Sequence, residues 1–458
     1  MPLRTPVSQQ RQLVSDGQTR PMAWRLQQLD RLAGAIDAHE AAVFEALAND
    51  LGKPEVEAYF ELVAVRQEIA LVRKRLRRWM APKRVPLPLS LLPGRAEVIA
   101  EPLGCVLVIG PWNYPFLLSL QPLVSVLAAG NTAVLKPSEH APATAALLER
   151  LIGAAFEPST VQVVQGDGTA AAALLQERFD HIFFTGGERV GRLVMAAAAQ
   201  HLTPVTLELG GKSPAVVLND AELEVTSRRL VWGKSLNAGQ TCIAPDYLLV
   251  QRGVAAPLIQ RLGERIQHCF GADPLTSPDL ATIVNGAQFE RLQRLLQGAQ
   301  QRGQVLFGGQ SDAERRRMAP TLIRVESPDD PLMDEELFGP LLPVVEVDDL
   351  QQAMAWINGR PKPLALYLFS NSEQAQRRLL EGTSSGGVCL NDVVMQASVP
   401  ELPFGGVGNS GMGTYHGEAG FLTFSHRRSV LRRPFQLDVP LRYPPYGKRL
   451  PLLRALLR

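Results

Sequence analysis

The chain has 458 residues, 46% of them hydrophobic and 20% charged, which suits about two or three globular domains and excludes a disordered tail or a membrane bundle. Its 47 basic and 45 acidic side chains leave a formal charge of +2, so no general field steers nucleic acid and a small molecule is the expected partner. Cys105, Cys242, Cys269 and Cys389 stand far apart with no CxxC spacing, which reads as reduced thiols in a cytoplasmic protein rather than a disulfide framework or a zinc site. The opening MPLRTPVSQQ has neither the apolar core of a signal peptide nor a transit-peptide helix, and secretion is not expected.

Helical spacing comes first: Met22, Leu26, Leu29, Ala33 and Ile36 begin a helical segment over 22–80, broken at Gly52-Lys53-Pro54. It closes on Arg73, Lys74, Arg75, Arg77 and Arg78, which suit a solvated helix end and its macrodipole better than a phosphate site. RVPLPLSLLPG at 84–94 reads as a connector, and AEVIAEPLGCVLVIG after it begins a sheet. PFLLSLQPLVSVLAAG at 115–130 is interrupted by Gln121 and Pro122 and is shorter than the roughly 20 residues that span a bilayer, so it reads as a buried helix. The runs VLVIG, NTAVLKP, TVQVVQG, HIFFTGG, PVTLELGG, SPAVVLN and YLLVQ alternate with Ala/Leu-rich stretches, the rhythm of a parallel sheet covered by helices. After about 250 a second α/β set follows, with helices at 253–269 and 286–302 and strand-like VLFGG and TLIRVE. The closing KRLPLLRALLR reads as an exposed tail, weak contact with an anionic membrane surface being the alternative.

Three strings carry residue types suited to covalent chemistry. NAGQTCIAPDYLLV at 237–250 places Cys242 in a Gly-containing turn before a strand, where a thiol is presented to a cleft, although a cysteine taken alone is more often a small buried hydrophobe. TLELGGKSPAVV at 206–217 sets Glu208 at a strand end before paired glycines that admit a backbone or a ligand, a position for a base; a surface acid is the plainer alternative. VIGPWNYPF at 108–116 turns between two prolines at Asn113, whose amide can donate into a site or simply brace the turn.

In this order the three strings resemble the aldehyde dehydrogenase superfamily. The resemblance extends over nearly the whole chain through LKPSEHAP (135–142), FFTGGERVG (183–191), EELFGPLLPV (335–344) and LPFGGVGNSGMGTYHGEAGFLTFSHR (402–427). The NYP form of the first motif, ALANDLGKPEVEAY (46–59) and RYPPY (442–446) are similar to the class-3 branch, whose members favour fatty and aromatic aldehydes.

The resemblance implies that the Cys242 thiolate attacks an aldehyde carbon while Asn113 and the Cys242 backbone N–H hold the oxyanion. Hydride passes to a nicotinamide, and the resulting thioester is hydrolysed with Glu208 as base, Glu336 being the alternative. It also implies Lys136 and Glu139 at the adenosine ribose, Glu336 at the nicotinamide ribose, Phe338 beside the ring and Trp112 among the cofactor contacts. Thr185 with Gly186, Gly187 and Gly191 is expected to make a tight turn into a helix facing the pyrophosphate. Glu139 opposes a 2′-phosphate, which points to NAD, with NADP as the alternative. Gly187 stands where most relatives carry Ser or Asn, and Arg189 where they carry an uncharged residue. Arg189 reads more plainly as a solvated helix residue than as a phosphate contact.

The expected architecture is α/β: a Rossmann-like cofactor domain (1–84 and 101–208), an α/β catalytic domain (209–390), and a small β bridging element with the C-terminal tail (85–100 and 391–458). Relatives pair through such an element, which implies a homodimer, or else a tetramer. GVGNSG at 406–411 satisfies GxGxxG but lacks the preceding strand and the following acid of a cofactor loop. GTSSG at 382–386 has a helix before it and a strand after it, the reverse of a nucleophile elbow. The seven histidines show no metal-ligand spacing. A catalytically silent binding protein and a coenzyme A-acylating enzyme are the rival readings, and Glu208 together with Cys242 and Asn113 argues against both.

Overall fold

The computed structural model describes residues 7–456 apart from 437 and 439. Its first sheet has six strands in the order Gly411–Met412, Val205–Glu208, His181–Thr185, Cys105–Ile109, Thr132–Lys136 and Val161–Val163, all parallel except the first. A parallel sheet must be covered on both faces, and alternation along the strands arranges this. Cys105, Leu107 and Ile109 join Ile182, Phe184 and Leu207 in a core with Val194 and Ala198 of helix Glu188–Ala199. Val106, Val108, Leu135 and Phe183 face the opposite way, onto helix Leu117–Ala128 and the N-terminal helices.

Those N-terminal helices are Met22–Ala38, Glu40–Leu51 and Glu55–Met80. Gly52 ends the second of them in the left-handed conformation at φ 60°, which is why the chain breaks at Gly-Lys-Pro. Asp50 caps helix Pro142–Ala155, accepting from the backbone N–H of Ala143 at 2.9 Å and of Thr144 at 2.8 Å. Helix Leu117–Ala128 is buried along nearly its whole length, as its composition requires.

The second sheet has seven strands in the order Val305–Phe307, Thr321–Arg324, Leu341–Val347, Tyr247–Gln251, Pro214–Val217, Ala365–Phe369 and Gly387–Leu390. Of the seven β-rich runs between 96 and 250, the first five therefore build one sheet and SPAVVLN and YLLVQ the other. Two strands of the second sheet were not anticipated: Leu341–Val347, which follows Gly339-Pro340 and has Pro343 inside it, and Ala365–Phe369, a short apolar run between loops.

A third sheet joins Lys83–Val85, Arg95–Pro102 and Ser425–Arg432, all antiparallel. The expected connector at 84–94 thus contains the end of a strand and a 3₁₀ turn at Leu89–Leu91. Ser425–Arg432 pairs with Arg95–Pro102 over eight residues although most of its side chains are exposed, so its strand character comes from the partner rather than from alternation. The C-terminal segment forms a short helix, Leu450–Leu456, with Leu450 and Leu452 exposed. No helix among the described residues is long and apolar enough to cross a membrane.

One buried ion pair ties the N-terminal helices to the first sheet. Lys53 Nζ binds Glu61 Oε1 with both side chains wholly buried, and Glu61 Oε2 accepts from the backbone N–H of Phe116 at 3.1 Å and Leu117 at 3.0 Å. Removing one member leaves the other charged and unpaired in a dry interior. Glu61→Ala is expected to lower unfolding free energy in urea by about 3–5 kcal/mol, and Lys53→Met/Glu61→Leu by distinctly less than the sum of the single changes. Additive single-mutant losses would show that the pair is not coupled.

Candidate active site

The carboxyl ends of the first sheet's strands and the amino ends of strands Pro214–Val217, Tyr247–Gln251, Leu341–Val347 and Ala365–Phe369 of the second border one cleft of about 920 Å³. Cys242, Glu208, Asn113, Trp112, Lys136, Glu139, Thr185, Gly186, Gly187, Glu336 and Phe338 all line it. Gly191 does not. It lies inside helix Glu188–Ala199, where an added Cβ would meet Leu209 Cδ2 at 2.8 Å, so it lets the helix pack on Leu209. The chain does turn from Thr185 into that helix within two residues, but none of Gly186, Gly187 and Gly191 has a positive φ. Gly186 is small because a Cβ there would meet the Phe184 ring at 2.5 Å, and Gly187 faces open space.

Cys242 is delivered by an unusual turn. Asn237, Ala238 and Gly239 are left-handed in succession, with φ of 52°, 53° and 77°. Two non-glycine residues in that region store strain, so the surroundings must hold them there. Asn237 N donates to Glu57 Oε2 at 2.8 Å, and Asn237 Nδ2 donates to the carbonyls of Asn113 at 2.8 Å and Gln240 at 3.1 Å. Gln240 Nε2 bridges to the carbonyls of Asn237 and Thr282, each at 2.9 Å. At Gly239 a Cβ would lie 2.3 Å from the Gly339 carbonyl oxygen, so only glycine passes.

The same network positions Asn113. Its carbonyl accepts from Lys53 Nζ and Asn237 Nδ2, both at 2.8 Å, and its Nδ2 donates to the Gln240 carbonyl at 3.1 Å. One amide proton is thereby committed and the other is left for the cleft. Lys53 also sits 3.8 Å from the centre of the Tyr114 ring, and the Tyr114 hydroxyl meets Thr241 Oγ1 at 2.7 Å, one residue before Cys242.

Glu208 ends the strand Val205–Glu208, paired with Thr185 on one side and Gly411 on the other. The rejected GVGNSG string therefore abuts the cleft as the strand beside Glu208, and its Asn409 lines the wall. Glu208 is buried with both carboxylate oxygens free of partners, and that burial holds its pKa well above the ordinary carboxylate range.

Glu336 is held differently. Its carboxylate fits where Gly210 has no side chain, since a Cβ there would lie 1.9 Å from Oε2, and it accepts from the Gly211 backbone N–H. Lys212 Nζ binds Asp246 and the Glu335 carbonyl at 3.0 Å, and Asp246 Oδ1 accepts from Leu337 N at 3.0 Å, which pins the segment carrying Glu336 and Phe338. Burial, then the nearby Asp246, raise Glu336 to about 8. The paired glycines after Glu208 thus admit a carboxylate at Gly210 and, at Gly211, the backbone of Pro363 and Leu364 at 3.4 Å.

The Cys242 thiol is pushed up to about 12 by burial first, then by Glu336 and Glu208, while the backbone N–H groups of Cys242 and Ile243 favour the thiolate. Farther along the cleft, Lys136 Nζ binds Glu139 Oε2 at 2.9 Å, and Trp112 meets Phe338 edge to face at 5.2 Å. Thr185 Oγ1 is buried without a partner on the same wall, and helix Glu188–Ala199 opens at Gly187 without a side-chain cap. Unpaired donors, a helix start and an acid-held lysine strung along one cleft fit a dinucleotide. No cluster of metal-binding side chains occurs among the described residues.

Sequence reasoning passed over Lys53, Glu61, Asn237, Gln240, Lys212, Asp246 and the buried Lys234. Asn237 and Gln240 lie inside the NAGQTC string, so proximity to the thiol was a usable signal. Glu61 carried only the signal of a charge at an apolar position of a helical stretch, and Lys53 lay in the Gly-Lys-Pro break between two helices with no signal of its own.

Residues 10–430 match the profile of the Aldehyde dehydrogenase family. The Arabidopsis thaliana protein named Aldehyde dehydrogenase family 3 member H1 is 45% identical over 98% of this chain and 94% of its own length. The Rattus norvegicus protein named Aldehyde dehydrogenase, dimeric NADP-preferring is 44% identical over 97% of this chain and 98% of its own. A solved structure titled as the substrate-bound state of Staphylococcus aureus AldH superposes with a TM-score of 0.95 at 42% identity, covering 98% of both chains. The chain belongs to the aldehyde dehydrogenase family. It resembles the class-3 branch and is an NAD(P)-dependent enzyme that oxidises aldehydes to carboxylic acids.

The raised thiol has a direct consequence. Alkylation of Cys242 by iodoacetamide should be slow at pH 7 and rise continuously to pH 10, because the reactive thiolate increases with pH below its pKa. Near pH 9 Glu336 is ionised and opposes the thiolate, so Glu336→Gln should speed alkylation there. An unchanged rate would mean that burial alone holds the thiol up.

Proposed function

We propose that Cys242 is the nucleophile, that the free amide proton of Asn113 and the Cys242 backbone N–H hold the oxyanion, and that Glu208 is the base. The observation that carries this reading is Glu208 itself, a buried carboxylate with two unengaged oxygens on the same cleft as the thiol. Burial raises the proton affinity of Glu208, which strengthens it as an acceptor for a proton leaving the thiol or an attacking water. Glu336 is the weaker candidate because its carboxylate is occupied by the Gly211 N–H and faced by Lys212 and Lys234.

The bound nicotinamide supplies a hydride acceptor. Trp112 and Phe338, which meet edge to face on the cleft wall, would border that ring, and Lys136 with Glu139 would hold the adenosine ribose. The sulfur of Cys242 bonds to the carbonyl carbon, and loss of hydride from that carbon leaves an acyl thioester. Glu208 takes a proton from water as the water adds to the thioester. Collapse releases the carboxylic acid and the Cys242 sulfur, without coenzyme A. Ile243, Val393, Val394 and Phe404 belong to the apolar cluster packed with Cys242, which favours a medium- or long-chain aliphatic or an aromatic aldehyde.

The proposed division is a cofactor domain at 1–84 and 101–208, a catalytic domain at 209–390 and a bridging element at 85–100 and 391–458. The exposed edge strand Ser425–Arg432 supports pairing of two copies into a homodimer. Four unpaired cysteines support a cytoplasmic setting.

Cys242→Ala should abolish reduced-cofactor formation at 340 nm with every aldehyde while leaving NAD binding measurable by calorimetry. Residual turnover near the wild-type rate would remove the mechanism. Glu208→Gln should keep a rapid first turnover of hydride and slow the steady state by about 10²–10⁴-fold, the usual worth of a positioned base. A steady state without a burst would move the base role to Glu336.

A further inference from the structure

The wall of the cleft built by the first sheet carries a cation with no part in the mechanism above. Arg189 lies in the first turn of helix Glu188–Ala199, is exposed, and lines the cleft. Its neighbour Glu188 is engaged elsewhere, accepting from Arg192 Nε at 3.2 Å and Asn409 Nδ2 at 3.1 Å. Lys136 on the same wall is held by Glu139, Lys212, just before the second sheet's strand Pro214–Val217, is held by Asp246, and Lys362 lines the cleft from the second sheet's side. Among the described residues, no carboxylate forms an ion pair with Arg189. The charge this turn offers the cleft is therefore its own.

The sheet order says which part of a dinucleotide would pass it. Strand Val205–Glu208 is followed by His181–Thr185, Cys105–Ile109 and Thr132–Lys136. Neighbouring strands are about 4.8 Å apart, so Glu208 and Lys136 end strands roughly 14 Å apart across the sheet. A dinucleotide with its nicotinamide at Cys242 and Glu208 and its adenosine ribose at Lys136 and Glu139 must cross the end of His181–Thr185. The part linking its two halves is the pyrophosphate. At that crossing Gly187 has no side chain to donate and only open space beside it, and the helix start has no side-chain cap.

We propose that Arg189 is the charged contact for the pyrophosphate, an affinity determinant that serves NAD and NADP alike. This rests on the cofactor placement given under the proposed function. A guanidinium matches phosphate oxygens in geometry as well as charge. Both dinucleotides carry the pyrophosphate, so both gain equally.

The test is calorimetric binding of NAD, NADP and phosphate-free adenosine to wild type, Arg189→Ala and Arg189→Lys, without aldehyde and at low and high salt. In Arg189→Ala, NAD and NADP should each bind about 5- to 10-fold more weakly at low salt, with a smaller difference at high salt, as for a solvent-screened charge. Adenosine should bind as before, and Arg189→Lys should recover part of the loss. Weakening confined to NADP would assign Arg189 to the 2′-phosphate instead, and unchanged binding would leave it a solvated helix residue. Either result overturns the proposal, as does equal weakening for adenosine. The cofactor placement is tested separately: NAD should protect Cys242 of the wild-type enzyme from iodoacetamide, and no protection would defeat the placement itself.

Discussion

The site depends on the carbonyl oxygen of Asn113. It accepts at 2.8 Å from Lys53, which enters from the N-terminal helices, and at 2.8 Å from Asn237, which belongs to the turn carrying Cys242. Three distant parts of the chain thus meet on one acceptor. Lys53 is paired in that dry position with Glu61, and Glu61 in turn accepts from the backbone N–H groups of Phe116 and Leu117. The strained left-handed turn before Cys242 is held by the same Asn113 carbonyl through Asn237 Nδ2, together with Glu57 at the Asn237 N–H and the Thr282 carbonyl at Gln240.

Burial has a second effect on the chemistry. The thiol and both carboxylates are all pushed toward their neutral forms, so these three groups together carry little negative charge near neutral pH. A site that gathers two acids and a thiol would otherwise repel itself. Burial strengthens Glu208 as a proton acceptor, which suits transfer from the thiol or through a water. The asymmetry between the acids comes from their partners. Glu336 is anchored by a backbone N–H at a glycine that leaves room for it, and Glu208 is left unengaged.

Much of this was legible in the chain. The βαβ rhythm announced parallel sheets, and the helices at 253–269 and 286–302 fall within a residue or so of Arg252–Phe270 and Gly286–Gln301. Glu208 and Asn113 stood out because each ends or follows a strand, and Cys242 because it precedes one, in turns rich in glycine or proline, and all three do border one cleft. The glycines were read less well. Gly210 and Gly191 are small because Glu336 and Leu209 approach them from more than ten residues away, and no local turn rule encodes such an approach.

What the sequence determined by itself was the periodicity of the elements and the identity of the reactive groups, because side-chain alternation, turn residues and nucleophile type are local properties. Tertiary structure alone decided that SPAVVLN and YLLVQ leave the first sheet for the second, that polar SHRRSVLR becomes a strand, and that Lys53 reaches Asn113. It also decided the protonation of Cys242, Glu208 and Glu336. Each of these is set by partners or by exclusion of water contributed from elsewhere in the chain, and neither can be read from neighbouring residues.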